Sequence, residues 1–255
     1  MRTSSNPALT RIPAFNGDRG AQTVDPLEQA YFGPTATSRD TGRMTIDDVV
    51  GRTALLLATA VATGAVTWAF DLGALALPAV LVGFGLAMFI IFKQVTNPAV
   101  ILAYAAIEGV FLGAISQVFN NAYPGIVVQA VVGTAGVTAV MLGLYGSGKI
   151  RVTPKFTKMV IGATIGFVVL LMVNLVAGIF TDGGLGLREG PLGILVGLAA
   201  IALGAFNLVL DFDLVDRGVR QGVPTRYGWL AAFGILITLV WLYVEMLRLL
   251  SILRN

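Results

Sequence analysis

The sequence predicts an all-α integral membrane protein of seven transmembrane helices, preceded by a disordered N-terminal tail. Three observations carry that reading. Of the 255 residues 56% are apolar and 12% charged, far from the usage of soluble domains, and the mean hydropathy is +0.83. Seven apolar runs have the length, about 20 residues, that a helix needs to cross roughly 30 Å of hydrocarbon. None of them alternates apolar and polar residues as an outer-membrane strand does.

Residues 1 to 43 read as the tail, because Ser4, Ser5, Asn6, Pro7, Gly17, Gly20, Pro26, Gly33 and Pro34 break any apolar period. It lacks the basic start, apolar centre and small-residue cleavage site of a secretory signal, so none of it is expected to be removed. Its Phe15, Tyr31 and Phe32 are candidates for contact with a partner or with headgroups. Residues 44 to 255 read as the membrane domain. The first span, Val49 to Phe70, follows Thr45-Ile46-Asp47-Asp48, a capping-box-like start whose acids suit the positive helix end. The next five are Leu75 to Phe92, Pro98 to Phe119, Pro124 to Tyr145, Thr157 to Phe180 and Pro191 to Asp213, and the last is Tyr227 to Leu253. Small residues four apart, Gly109/Gly113, Gly162/Gly166 and Gly193/Gly197, predict close helix packing.

Basic residues concentrate in the short connections that stay on the cytoplasmic side. With seven crossings Arg39, Arg43, Arg52, Lys93, Lys149, Arg151, Lys155, Lys158, Arg217, Arg220 and Arg226 share one side, opposite Arg188, Arg248 and Arg254. The N-terminus is therefore expected in the cytoplasm and the C-terminus outside. The sequence pI of about 9.4 records this asymmetry and points to an anionic leaflet rather than to nucleic acid. Thirteen arginines against four lysines, with abundant Ala, Gly and Val, fit a G+C-rich genome and a bacterial plasma (inner) membrane.

The chain has neither Cys nor His. Thiolate chemistry, disulfides and His-ligated haem are excluded, and zinc hydrolysis and a Ser-His pair lose most of their basis. An intramembrane aspartyl protease would need two acids sharing a proton, and these acids lack the Gly-x-Gly-Asp setting of such enzymes. No enzyme activity and no tightly bound cofactor are expected.

The informative residues are the acids at membrane depth, where a carboxylate costs several kcal/mol unless it is paired, protonated or wet. Asp211 and Asp213 close the sixth run, in Asn207-Leu-Val-Leu-Asp211-Phe-Asp213-Leu-Val-Asp216-Arg217. At about 100° per residue Asn207 and Asp211 share one face, with Asp213, Asp216 and Arg217 nearly opposite. The structural reading pairs Asp213 with Arg217 and ends the helix there, which leaves Asp211 unexplained. Glu245 has Arg248 one turn on as a structural partner. Glu108 has no basic residue within one turn and needs an interhelical donor, water or a proton, with Asn174 and Asn207 as candidate donors.

Three segments carry a likeness: Glu108-Gly-Val-Phe-Leu-Gly113, Phe212-Asp213-Leu, and Leu242-Tyr-Val-Glu245-Met-Leu-Arg-Leu-Leu250. On them the chain resembles the Bax inhibitor-1-like (transmembrane Bax inhibitor motif) family over about residues 44 to 255. The resemblance implies a last helix surrounded by the other six and a pH-sensitive calcium leak. It also implies an acidic pair between the last two helices that shares a proton and controls opening, and this pair falls on Asp213 and Glu245. Here a Glu stands where an Asp is usual, Asp211 is added, and Lys93 is the nearest base to an Arg expected after the second span.

The residue chemistry agrees with such a role. Two carboxylates within about 4 Å in a low-dielectric site cannot both ionise easily, so a proton switch needs no histidine. Asp211, Asp213, Glu245 and Glu108 are the gating and pathway candidates, with Asp213 and Glu245 as a transient calcium site, weak enough to release the ion. The expected partners are the bilayer, calcium ions and protons. Depth is the obstacle: in a simple antiparallel hairpin Asp213 faces Ile235 or Leu236, with Glu245 about 14 Å further along. The pair meets if Leu214 to Phe233 forms an amphipathic or re-entrant stretch and the last span starts near Gly234, which is the expectation adopted. A proton-coupled cation antiporter using the same acids and a non-transporting membrane scaffold remain alternatives.

Overall fold

The computed structural model describes residues 42–181, 184–187 and 190–254. Within them lie α1 (Ile46–Ala69), α2 (Ala76–Lys93), α3 (Pro98–Ala122), α4 (Ile126–Gly146), α5 (Pro154–Phe180), α6 (Gly190–Arg220) and α7 (Gly228–Arg254). Each helix, α2 and α7 with the short 3₁₀ turns before them, is long and apolar enough to cross a membrane. The helix starts follow from local chemistry. Thr45 closes the expected capping box, with its hydroxyl 3.0 Å from the Asp48 amide and its own amide 3.1 Å from the Asp48 carboxylate. Asn97 and Thr153 cap α3 and α5, and Pro98 and Pro154 occupy first-turn positions where a missing N–H costs nothing.

The last helix is the most buried of the seven and α5 the least. Leu56 of α1, Ala87 and Ile90 of α2, and Ile101, Tyr104 and Ala105 of α3 share one apolar cluster with Ala232, Phe233, Leu236 and Val240 of α7. On its other sides α7 packs Ile235 and Leu242 with Leu208 and Val215 of α6, and Leu247 with Ile126 and Ala130 of α4. Trp241 stacks on Phe167 of α5 at 6.0 Å between ring centroids. The expected central helix is thus present, packed by all six others. Large apolar side chains such as Val61, Phe84, Val128, Ile165 and Leu195 are exposed around the outside, where hydrocarbon replaces water.

The small-residue spacings divide. Gly109 and Gly113 let α3 lie directly on Ala60 and Gly64 of α1, and a Cβ at either glycine would collide with α1 backbone. Gly193 is buried, and Gly197 faces Leu249 and Arg248 of α7. Gly162 and Gly166 do not form a seam: both are exposed and a Cβ there would meet nothing within 4 Å.

A second difference concerns the end of α6. No re-entrant stretch occupies 214–233: α6 runs unbroken to Arg220, the chain turns at Gly222 (φ 66°), and α7 begins at Gly228. Ion pairs from Arg217 to Asp213 and from Arg220 to Asp216, one turn apart, let the helix carry its charges past the apolar zone without stopping. Of the expected tail, residues 1–41 lie outside the described residues, together with its Phe15, Tyr31 and Phe32. Gly42 and Arg43 are described, and hydrogen bonds tie this segment to the α6–α7 turn.

Candidate functional site around Asp211

The α6–α7 hairpin sets the site. Leu242 packs against Gly204 and Leu249 against Gly197, which fixes an antiparallel register in which Asp211 meets Thr238. The Thr238 hydroxyl donates to Asp211 Oδ2 at 2.6 Å, and it also reaches the Gly234 carbonyl at 3.3 Å within its own helix. Among the described residues three acid–arginine ion pairs form, and Asp211 is in none of them. A half-buried carboxylate therefore rests on one hydroxyl from the central helix.

Asp211 lines a cavity of about 310 Å³ with Gln94, Leu230, Phe233, Gly234 and Thr238 among its walls. A neighbouring cavity of about 330 Å³ is lined by Met44, Gln94, Arg217, Gln221, Tyr227 and Leu230, among others. Gln94 and Leu230 border both. Both spaces lie toward the α6–α7 turn, where Arg217 and Arg220 close α6 and Arg226 precedes α7. Arg220 lies nine residues, about 14 Å, beyond Asp211 along α6.

Asp213 and Glu245 do not form the expected pair. Asp213 Oδ2 lies 2.6 Å from Arg217 Nη2, and its Oδ1 is 3.5 Å from the Tyr145 hydroxyl, on the α4 side of α6. Glu245 Oε2 lies 2.6 Å from Arg248 Nη2, with only 6% and 9% of the two residues exposed. With Asp211 opposite Thr238, Asp213 falls two residues nearer the turn and Glu245 seven residues further from it. The register separates the two acids by about 14 Å along the axis. Fully buried Leu208 and Leu242 fill the intervening layer. The physical reason is the continuity of both helices: without a re-entrant segment nothing shifts α7 by the two to three turns that the pair requires. The calcium site drawn from Asp213 and Glu245 falls with the pair. Among the described residues no group of three or more acidic side chains converges to hold a metal ion.

Glu108 is half-buried beside Gly83 of α2, whose added Cβ would lie 3.3 Å from Glu108 Oε2. Tyr104, one turn back on α3, is the polar neighbour that interacts with it. Neither expected asparagine serves it. Asn174 accepts from the Leu185 amide at 3.0 Å, and Asn207 donates to Thr164 at 2.8 Å and to the Leu203 carbonyl at 2.9 Å. The residue that sequence reasoning missed is Thr238. A threonine in an apolar helix is a common packing residue, and only the register with Asp211 distinguishes it.

The sequence model of the family described as Bax inhibitor 1 like matches residues 6–255, nearly the whole chain. No individual curated protein matches it. Seven spans around a buried last helix accord with the fold expected of that family, and the extent of the match decides the assignment: this chain belongs to the Bax inhibitor-1-like family.

Proposed function

We propose that the protein is a pH-sensitive, calcium-permeable leak of the membrane in which Asp211, hydrogen-bonded to Thr238, is the proton-sensitive gate. The observation that carries the reading is this one contact: an acid at membrane depth, paired with a hydroxyl rather than an arginine, at the inner end of two adjoining cavities. An ionised carboxylate holds an O–H donor roughly twice as strongly as a neutral acceptor does. Ionised Asp211 therefore pins α6 to the central helix, and protonation loosens that junction. The dry layer at Leu208 and Leu242 blocks the continuation beyond Asp211, so the described conformation corresponds to a closed state. Once the layer parts, a carboxylate and a few hydroxyl and carbonyl oxygens offer calcium a weak transit site.

In this reading the chain is a transporter rather than an enzyme, calcium is its cargo, and no bound cofactor takes part. It sits in a bacterial plasma membrane with Arg43, Arg52, Lys93, Arg217, Arg220 and Arg226 on the cytoplasmic side. The test is calcium flux into proteoliposomes on either side of neutral pH. Wild type is expected to leak faster as pH falls. Asp211→Asn, which keeps an acceptor oxygen but removes the charge, should leak at the acid rate at every pH. A wild-type pH response in Asp211→Asn removes the gate. Flux that follows an imposed proton gradient rather than the calcium gradient replaces the leak with an antiporter, and an absence of flux leaves a scaffold.

A further inference from the structure

The segment ahead of α1 is built into the α6–α7 turn. The Thr225 amide donates to the Gly42 carbonyl at 2.9 Å and the Met44 amide donates to the Val223 carbonyl at 2.8 Å. These two bonds flank a single antiparallel bridge between Arg43 and Pro224. From α1, Arg52 holds the same turn by donating to the Thr225 carbonyl and, at 3.0 Å, to its hydroxyl, with its guanidinium 5.2 Å from the Trp229 ring centroid. Met44 then turns inward and is only 4% exposed. Its terminal methyl lies so close to α6 that a Cβ added at Gly218 would come within 2.7 Å of it. The same side chain walls the outer cavity with Arg217, Gln221, Val223 and Tyr227.

We infer that residues 42–44 form a strap, with Met44 as its plug, that controls access from the arginine-bearing end to the cavity leading to Asp211. Met44 is the buried wall of a space whose other walls include the exposed Gln94, Arg217 and Gln221, and it also packs in the apolar cluster of Val49, Leu208 and Val215, so its withdrawal widens an entrance that is already partly polar. The attachment is light: two backbone bonds and one unbranched side chain belong to the range of local openings that cost far less than global unfolding. Arg52 stays with the turn when the strap leaves, so the passage opens without dismantling the α1–α7 contact. For its effect on flux, though not for its effect on access, the inference rests on the leak reading above.

The chain has no cysteine, so introduced thiols are the only ones. The first experiment uses the full chain in liposomes with Ala231→Cys, a wall of the outer cavity, and a charged, water-soluble methanethiosulfonate. Labelling is expected to be slow, and several-fold faster when Met44→Ala is added. Unchanged labelling in a protein that keeps its thermal transition overturns the strap. The second experiment uses Arg43→Cys with Pro224→Cys. Such directly opposed, non-hydrogen-bonded residues sit about 4.5 Å apart at Cα, inside the range a disulfide spans. Oxidation should lower the calcium leak several-fold and reductant should restore it, whereas a measurable leak that is equal in both states overturns the strap. Faster labelling in Met44→Ala while no form of the protein passes calcium keeps the strap and removes the leak reading.

Discussion

Asp211 and Glu245 lie on adjacent helices of one hairpin, yet their surroundings differ in kind. Glu245 is almost sealed from solvent and has an arginine 2.6 Å away on its own helix, so its charge is settled within one turn of chain. Asp211 borders a cavity and depends on a neutral hydroxyl supplied by the other helix. Burying an ion pair costs much of what the pair returns, and breaking one by removing a single partner is worse still, so such a pair fixes a structure and switches poorly. A lone acid beside a space that water can enter changes charge with less disruption. In the proposed gate, its partner across the helix interface would convert that change into a change of packing.

The comparison can be broken at four points, taken from the largest expected effect to the smallest. Glu245→Leu leaves Arg248 charged in an almost closed site and should cost about 3–5 kcal/mol of stability, read as a lowered thermal transition in detergent. The double variant Glu245→Leu with Arg248→Leu should recover most of that loss; if it does not, the pair does more than neutralise itself. Next comes Asp211→Asn, whose expected effect is loss of the pH response of calcium flux with little loss of stability. Thr238→Val keeps the shape of the side chain and removes the donor. A hydrogen bond to a charged group contributes about 1.5–3 kcal/mol, so the leak at neutral pH should rise by roughly tenfold or more. Asp213→Asn should matter least. The side chain of its partner Arg217 is 55% exposed, and such pairs contribute at most about 1 kcal/mol. Its flux and pH response are expected to match wild type, and a flat response in Asp213→Asn would return the switch to the residue that the family likeness indicated.

Much of the fold was legible in the linear chain because hydrocarbon imposes a length and a composition on anything that crosses it. The Thr45–Asp48 cap and the Pro98 start are local events, so residues a few positions apart announced them. The two candidate ion pairs, Asp213 with Arg217 and Glu245 with Arg248, were legible for the same reason: each partner lies three or four residues away on one helix face. Gly162 and Gly166 show where this kind of reading stops. Their spacing matches that of Gly109 and Gly113, but spacing does not say whether another helix or lipid lies opposite.

The chain by itself determined seven apolar helices, where along them charges gather, and which acids sit within the apolar runs, since these depend on composition and on neighbours within a turn. The tertiary structure alone decided which acid meets which helix. A rise of 1.5 Å per residue turns each residue of register into distance along the axis, and the register is set by contacts such as Gly204 with Leu242 and Gly197 with Leu249, far apart in sequence. Those contacts put Thr238 beside Asp211 and leave Glu245 about 10 Å further along α7.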